Sequence, residues 1–518
     1  MASVSSNNLI AKNTLLLYAR MLLLLGVSLY TSRIVLSTLG VEDYGLYDVV
    51  GGVVSMFTFI SMAMGNSTNR YITYALGKGD KDELNDVVSA ACVIHWVIAI
   101  LILVLAETLG LWFLHHKMVI PDNRLIAAEW VYQFSIIACM VTIISVPYNA
   151  MIISHEKMGA FAAISILDAV LKLLIAYLIQ ITGHDKLIIY AALILSVNVM
   201  NRLIYQLYCK HTFEEARSIK IKKNYPQFRE MTSFAGWSMI GNLVYLGYTQ
   251  GVNILLNMFF GPAVNAARGV AFQVQGAMNG FVTNFQTAIN PQIIKSYATR
   301  DFKRQTQLVF SGSKFSFFLM LCMVLPVFLE AEGILHLWLK DVPDYSAVFL
   351  RLVLLISLVS PLENPIGISN NATGDIKKYQ IVAGCFNVLI IFFSYIVLKM
   401  GFEPYSVFFV QLIITTIVLF VKILIVSPKI GFTFRDYVSK VLFRVLIVTV
   451  SSAIVPSILH FVAPTESLIF LIINCMVGVC SVSFFAFFLG MNTIERSFIL
   501  KRIKRVIGRY SVVNKSNQ

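Results

Sequence analysis

Charge is scarce in this sequence. Only 13% of its 518 residues are Asp, Glu, Lys or Arg, 58% are hydrophobic, and the mean hydropathy is +0.76. A water-soluble chain carries about a quarter of its residues as charge, so a soluble globular fold is excluded. Cysteine is sparse too. The seven (Cys92, Cys139, Cys209, Cys322, Cys385, Cys475 and Cys480) are scattered through apolar stretches with no C-x-x-C and no His/Cys cluster. They read as small packing residues, and neither a disulfide framework nor a metal site is expected. A phosphate-cradling G-x-x-x-x-G-K-[ST] loop is also missing, which argues against a nucleotide-driven pump. No loop exceeds about twenty residues, so there is no room for the exterior catalytic domain of a membrane glycosyltransferase or polymerase. An enzyme is not expected, nor any cofactor.

Long apolar runs fill the space these absences leave. Fourteen stretches are each long enough to cross about 30 Å of hydrocarbon. They fall at about 14–37, 46–66, 87–114, 126–153, 160–182, 187–209, 231–259, 270–290, 308–330, 346–366, 379–398, 404–426, 441–461 and 467–490. The first is too long, and too marked by Arg20 and Arg33, for a cleaved signal peptide. Basic residues in short loops stay in the cytoplasm, and about 27 of the 41 Lys and Arg fall in the even-numbered loops and the two tails. Both termini are therefore expected to be cytoplasmic. The net charge of +14 is mostly this topology signal and calls for no nucleic acid.

The sequence repeats itself. Leu39-Gly40, Gly45, Asn69-Arg70 and Tyr74-Ala75 correspond to Phe260-Gly261, Gly269, Asn290-Pro291 and Tyr297-Ala298. More weakly, Pro147 and Asn149 before His155-Glu156-Lys157 correspond to Pro361 and Asn364 before Gly374-Asp375. The repeat unit holds six spans, an even number, so its two copies share one orientation. The expected fold is all-α and polytopic, with about 14 transmembrane helices in two parallel six-helix repeats plus two C-terminal helices. Its parts are a first lobe (1–209), a basic linker (210–230), a second lobe (231–426), an added helix pair (427–490) and a basic amphipathic tail (491–518). In that tail Ile499, Leu500, Ile503, Val506, Ile507 and Tyr510 oppose Lys501, Arg502, Lys504, Arg505 and Arg509, a pattern suited to a lipid surface or to a plain topology anchor.

Polar stripes mark where a cavity is expected. Gln275, Asn279, Thr283, Gln286 and Asn290 recur every three or four residues, as do Asn242, Tyr245, Thr249, Asn253 and Asn257 less tightly. Amides facing lipid are costly, so these faces meet either a hydrated lumen or other helices. Charges inside spans are rarer. Asp168 and Lys172, at i and i+4 in mid-span, are either a self-neutralised structural pair or lumen groups, with Lys172 binding an anion and Asp168 holding a coupling proton or cation. Arg20 lies too deep in its span to belong to a loop. Arg33 faces either the lumen or the interface, and Arg268 borders the lumen-side helices. Arg202, Lys314, Arg351, Lys422 and Arg444 sit near span ends, where snorkelling accounts for them.

The opening YARMLLLLGVSLYTSRIVLSTLGVEDYGLYDVVGGVVSMF, with its span end at Leu39-Gly40 followed by Tyr44-Gly45-Leu46-Tyr47, resembles the polysaccharide-exporting, Wzx-type flippases. Their superfamily also contains MATE drug extruders and lipid II flippases. The resemblance extends through the twelve-span repeat and the added pair. It implies turning an oligosaccharide linked to undecaprenyl pyrophosphate from the inner to the outer leaflet of a bacterial inner membrane, by alternating access, for O-antigen or capsule assembly. The implied partners are that substrate, membrane lipids, a coupling proton or sodium ion, and other envelope polysaccharide assembly proteins. Sugar hydroxyls and a pyrophosphate of about two negative charges need hydrogen-bonding groups and cations for passage through hydrocarbon. Asn242, Asn253, Gln275, Asn279 and Gln286 supply the former; Arg20, Arg33, Lys172 and Arg268 supply the latter. The family's cationic lumen carries over to Arg20 and Arg33, and to Lys172 by position alone. A MATE-type cation-coupled multidrug antiporter is the alternative, supported only by Asp168, and a non-transporting scaffold of an envelope complex stays open.

Reporter fusions test the topology. Fusions in the Lys210 to Arg229 loop and the C-terminal tail should report as cytoplasmic, and fusions near Pro121 and Pro343 as external. An externally accessible Lys220 overturns the orientation.

Overall fold

The computed structural model describes residues 2–55, 58–117, 120, 122–219, 226–339, 342–462, 468–497 and 500, and no strand occurs among them. Residues 220–225 of the expected linker and most of the expected tail helix lie outside the described residues. The helices in chain order are α1 (Ala2–Ser55), α2 (Thr58–Lys78), α3 (Lys81–Leu105), α4 (Leu111–Lys117), α5 (Leu125–Ser154), α6 (Met158–Ile181), α7 (Lys186–Thr212), α8 (Pro226–Phe260) and α9 (Pro262–Ala298). After them come α10 (Phe302–Leu329), α11 (Ala331–Trp338), α12 (Ser346–Ser357), α13 (Ser360–Thr373), α14 (Lys377–Lys399), α15 (Ser406–Ile430), α16 (Phe434–Tyr437), α17 (Phe443–Val462) and α18 (Leu468–Phe485).

Each of the fourteen expected spans coincides with helix, apart from residues 182, 330, 358–359 and 404–405, which lie in turns or at helix ends, and residues 56, 57 and 467, which are not described. Among the described residues, eleven helical stretches are long and apolar enough to cross a membrane. The three expected spans outside that set are the second, seventh and eighth. The seventh and eighth are polar-dotted, and their amides dilute their hydropathy; the second contains residues 56 and 57, which are not described.

The repeat is written in the backbone. Gly40, which bends α1, and Gly261, which separates α8 from α9, both have φ +80°, and they stand 221 residues apart. Gly79 (φ +76°) and Arg300 (φ +58°) keep the same offset and end α2 and α9. Glu156 (φ +59°) and Gly374 (φ +81°) end α5 and α13 at nearly that offset. Left-handed residues stop helices because the next N–H folds back onto unpaired carbonyls. Three pairs of positive-φ residues at matched offsets, five ending helices and Gly40 bending one, mark the two six-helix copies in the backbone.

By their internal packing the residues form two compact units. One joins Met1–Gly247, Asn284–Gln305 and Ile368–Cys385; the other joins Tyr248–Thr283, Thr306–Gly367 and Phe386–Gln518. The first unit has an apolar core in which Ile72, Val88, Met151, Ile152 and Cys209 are fully enclosed. At the helix ends far from the basic loops, the Arg124 guanidinium binds the Asp43 carboxylate (Nε to Oδ1 2.8 Å) and the Asp185 carboxylate (Nη1 to Oδ2 2.6 Å). Burial alone pushes the Asp185 carboxyl up, but Arg124 and the N–H groups of Leu187 and Ile188 outweigh it and hold it below the usual carboxylate range.

In the second unit the added pair α17 and α18 is fastened to α10 at both ends. Lys314, 4% exposed, binds Glu495 at 2.8 Å, and Glu330 accepts from His460 at 2.8 Å and from Asn474. Lys422 pairs with Glu363, and Arg351 with Glu332 at 3.1 Å. These contacts correct the snorkelling account of Lys314, Arg351 and Lys422. Each cation turns to a carboxylate, since a charge next to apolar walls is tolerated when paired.

Gly40 has ψ 168° at its positive φ, a region that a residue with a Cβ enters only under strain. Gly40→Ala should therefore destabilise the protein by roughly 1–3 kcal/mol. Gly26→Ala, where a Cβ meets open space within regular helix, should be neutral or mildly stabilising. Thermal unfolding in detergent compares the two, and equal midpoints remove the claim of strain at the bend.

Candidate functional site

Within the first unit, five helices enclose a cavity of about 490 Å3, inside the range of small-molecule clefts. Each helix contributes a face set by three- and four-residue spacing. Arg20 and Leu24 come from α1, and Asn66 and Asn69 from α2. The α5 face holds Thr142, Ser145, Asn149 and Ile153; Ser165, Asp168 and Lys172 project from α6; Asn198, Asn201 and Tyr205 from α7. Small residues, Gly65 on α2 and Ala150 on α5, complete the wall.

The charged groups are arranged unequally. Asp168 Oδ2 accepts from Lys172 Nζ at 2.9 Å, and its Oδ1 accepts from Asn201 Nδ2 at 2.6 Å. Both carboxylate oxygens are engaged, and Lys172 brings its charge to a neutral pair. Arg20 has no carboxylate. Its guanidinium lies 4.4 Å from the Phe161 ring centroid, and its Nε is buried without a hydrogen-bond partner. The Asn201 Oδ1 points inward likewise without one. Asn69 is committed, since its Oδ1 accepts from Ser154 Oγ at 3.0 Å and from Thr73 Oγ1 at 3.2 Å. The cavity therefore presents one unmatched positive charge and several open amides.

Of the ten residues singled out in sequence, the structure brings Arg20, Asp168 and Lys172 together here. Arg33 is exposed further along α1 and is absent from the lining. Asn242 is half-buried and Gln286 is buried, both in the first unit but outside the lining. In the second unit Arg268 Nη1 donates to Asn253 Oδ1 at 3.2 Å and Nη2 to the Thr249 carbonyl at 3.0 Å, with the guanidinium 4.2 Å from the Phe272 centroid. Gln275 and Asn279 are half-buried on the same helix. The lining residues that sequence reasoning missed are Asn66, Thr142, Ser145, Ser165, Asn198, Asn201 and Tyr205. Their signal was there: Thr142, Ser145 and Asn149 on α5, and Asn198, Asn201 and Tyr205 on α7, keep the spacing of the more conspicuous stripes on α8 and α9.

A sequence profile of the polysaccharide biosynthesis protein family matches residues 10–296. The chain belongs to this family. It thereby falls among the Wzx-type flippases of the MATE-like superfamily, and it is a multi-pass membrane transporter. Among solved structures, a multidrug resistance MATE family transporter of the MOP superfamily in an outward-facing conformation matches with a TM-score of 0.69 at 14% identity, covering 82% of this chain and 96% of its own. A MATE protein in its bent conformation matches at 0.71 with 13% identity over the same shares. A MOP superfamily transporter from Pyrococcus furiosus, described as having a binding pocket of reversed polarity, matches at 0.67 with 14% identity, again over the same shares. At these identities the likeness is one of fold. No curated protein sequence matches the chain significantly.

Labelling checks the cavity. Cysteines placed at Asn66 and Thr142, exposed in its wall, should react with water-soluble thiol reagents, and one at Ser67, fully buried beside Asn66, should not. Equal labelling at all three positions removes the claim of a hydrated face.

Proposed function

We propose that the cavity holds the headgroup of a lipid-linked oligosaccharide, an undecaprenyl-pyrophosphate sugar unit. On this reading the protein turns the unit from the cytoplasmic to the outer leaflet of a bacterial inner membrane by alternating access, for surface polysaccharide assembly. The polyprenyl tail stays in lipid while the polar head crosses. The excess of basic residues in the even-numbered loops supports an orientation with both termini in the cytoplasm.

One observation carries the reading: the unpartnered Arg20 guanidinium stands among five asparagines in a cavity whose only lining carboxylate, among the described residues, is already bound by Lys172 and Asn201. An anion suits the guanidinium, and hydroxyls suit open amides that both donate and accept. A cationic drug would need an open acid, and Asp168 offers neither oxygen free. That disfavours the MATE-type antiporter reading, and with it a coupling ion resting on Asp168.

Export of surface polysaccharide in cells, measured at equal membrane levels of protein, tests this. Arg20→Ala removes a charge-assisted contact worth roughly 1.5–3 kcal/mol, a loss of about tenfold to a hundredfold. Arg20→Lys should recover part of it, because the charge survives while the planar fork does not. For the pair, Lys172→Met alone leaves the half-buried Asp168 without its cation. Adding Asp168→Asn restores export if the pair is structural and leaves export lost if Lys172 also holds substrate. Normal export by Arg20→Ala would sink the anionic-substrate assignment.

A further inference from the structure

We propose that the α5–α6 turn and the C-terminal ends of α9 and α13 form a releasable latch that shuts one end of the cavity, with Glu156, Lys295 and Arg70 as its working parts. The inference deepens the transport reading above, since a carrier must open its cavity at this end at one stage of its cycle.

Glu156 is the central piece. It is 6% exposed and turns the chain at φ +59°, a conformation uncommon for a residue with a Cβ. Its carboxylate accepts from Lys295 Nζ at 2.5 Å and from Gln292 Nε2 at 2.6 Å, both on α9. Its carbonyl accepts from Asn13 Nδ2 of α1 at 3.3 Å. A second contact lies nearby. Arg70 of α2, 7% exposed, donates from Nε to the Asn371 carbonyl at 3.0 Å and from Nη2 to the Ala372 carbonyl at 3.1 Å. Those are last-turn carbonyls of α13, at the negative end of its dipole, and the Asn371 carbonyl also accepts from the Gly374 N–H at 3.1 Å. Between the two, α2 and α9 meet almost backbone to backbone. A Cβ added at Gly77 would stand 2.7 Å from the Ala298 Cβ and 3.1 Å from the Lys295 Cα.

Position ties the latch to the cavity. Ile153 and Asn69 line it, and Ser154, bound to Asn69, is two residues before Glu156. Asn13, Arg70 and Glu156 belong to the first repeat, and Gln292, Lys295, Asn371 and Ala372 to the second. The latch therefore joins the two copies, whereas the Arg124 cluster at the opposite helix ends joins only elements of the first copy. Its chemistry makes it reversible. Ion pairs and carbonyl contacts at a helix end exchange their partners for water at little net cost when they part, and a flat glycine surface leaves no interlocked side chains to extract.

Hydrogen–deuterium exchange of the full-length protein in lipid nanodiscs, without substrate, tests this. Glu156→Gln removes the charge while keeping shape and the carbonyl contact to Asn13. Gly77→Val wedges α2 from α9 without touching any charge. Both should speed exchange across 150–157, 290–298 and 370–376 at least about tenfold while leaving 122–130 and 185–190 unchanged, because a local opening exposes only its own segments. Unchanged exchange in both variants, or an equal rise at both ends, overturns the latch. Since no sugar is added, a failure of the oligosaccharide assignment does not alter this readout.

Discussion

Hydrocarbon accepts no hydrogen bonds, and this constraint orders everything else in the molecule. Helices satisfy the backbone by themselves; side chains must find partners or water. In this protein the strongly apolar spans resolve the demand by packing their few polar residues onto one face, and five such faces converge. In the second unit the ion pair of Lys314 with Glu495 and the hydrogen bond of Glu330 with His460 answer the same demand. Several of the described polar groups are thus parts of joints or of the cavity wall, while others, such as Thr31 and Thr449, turn back to carbonyls of their own helix.

On the proposed reading, transport specificity follows from which groups remain unmatched after that sorting. Asp168, Lys172 and Asn201 satisfy one another, so they set shape and hydrogen-bonding direction more than net charge. Arg20 does not find a mate, and its stacking on Phe161 holds the guanidinium plane in place without neutralising it. The scaffold is duplicated but this chemistry is not. At the offset that relates Glu156 to Gly374, the positions matching Asp168 and Lys172 are Phe386 and Ile390. Duplication repeated the positive-φ turns but not these polar groups.

Much of the fold was legible because membranes simplify the problem. Spans follow from run length, and the repeat follows from Gly40 and Gly261, whose shared backbone angle explains why glycine stands at both. The Asp168–Lys172 pair was visible because i and i+4 are neighbours on any helix. Partnerships between helices were not. Asn201 reaches Asp168 across 33 residues and Glu495 reaches Lys314 across 181, and no local spacing encodes either. The site itself was half-read. Amide-rich α8 and α9 drew the eye, whereas the Thr142–Ser145–Asn149 and Asn198–Asn201–Tyr205 faces are diluted by the apolar residues between them.

The neutral pair has an electrical consequence. Two opposite charges 2.9 Å apart on one helix carry no net charge, so any displacement of α6 along the membrane normal draws no work from the transmembrane voltage. A lone guanidinium is different: moved through the full field it exchanges roughly 2.3 kcal/mol per 100 mV, and on the proposed reading an anion seated on it would cancel that charge. On that reading, loaded and empty forms of the carrier would feel the membrane potential differently, through the charge on Arg20.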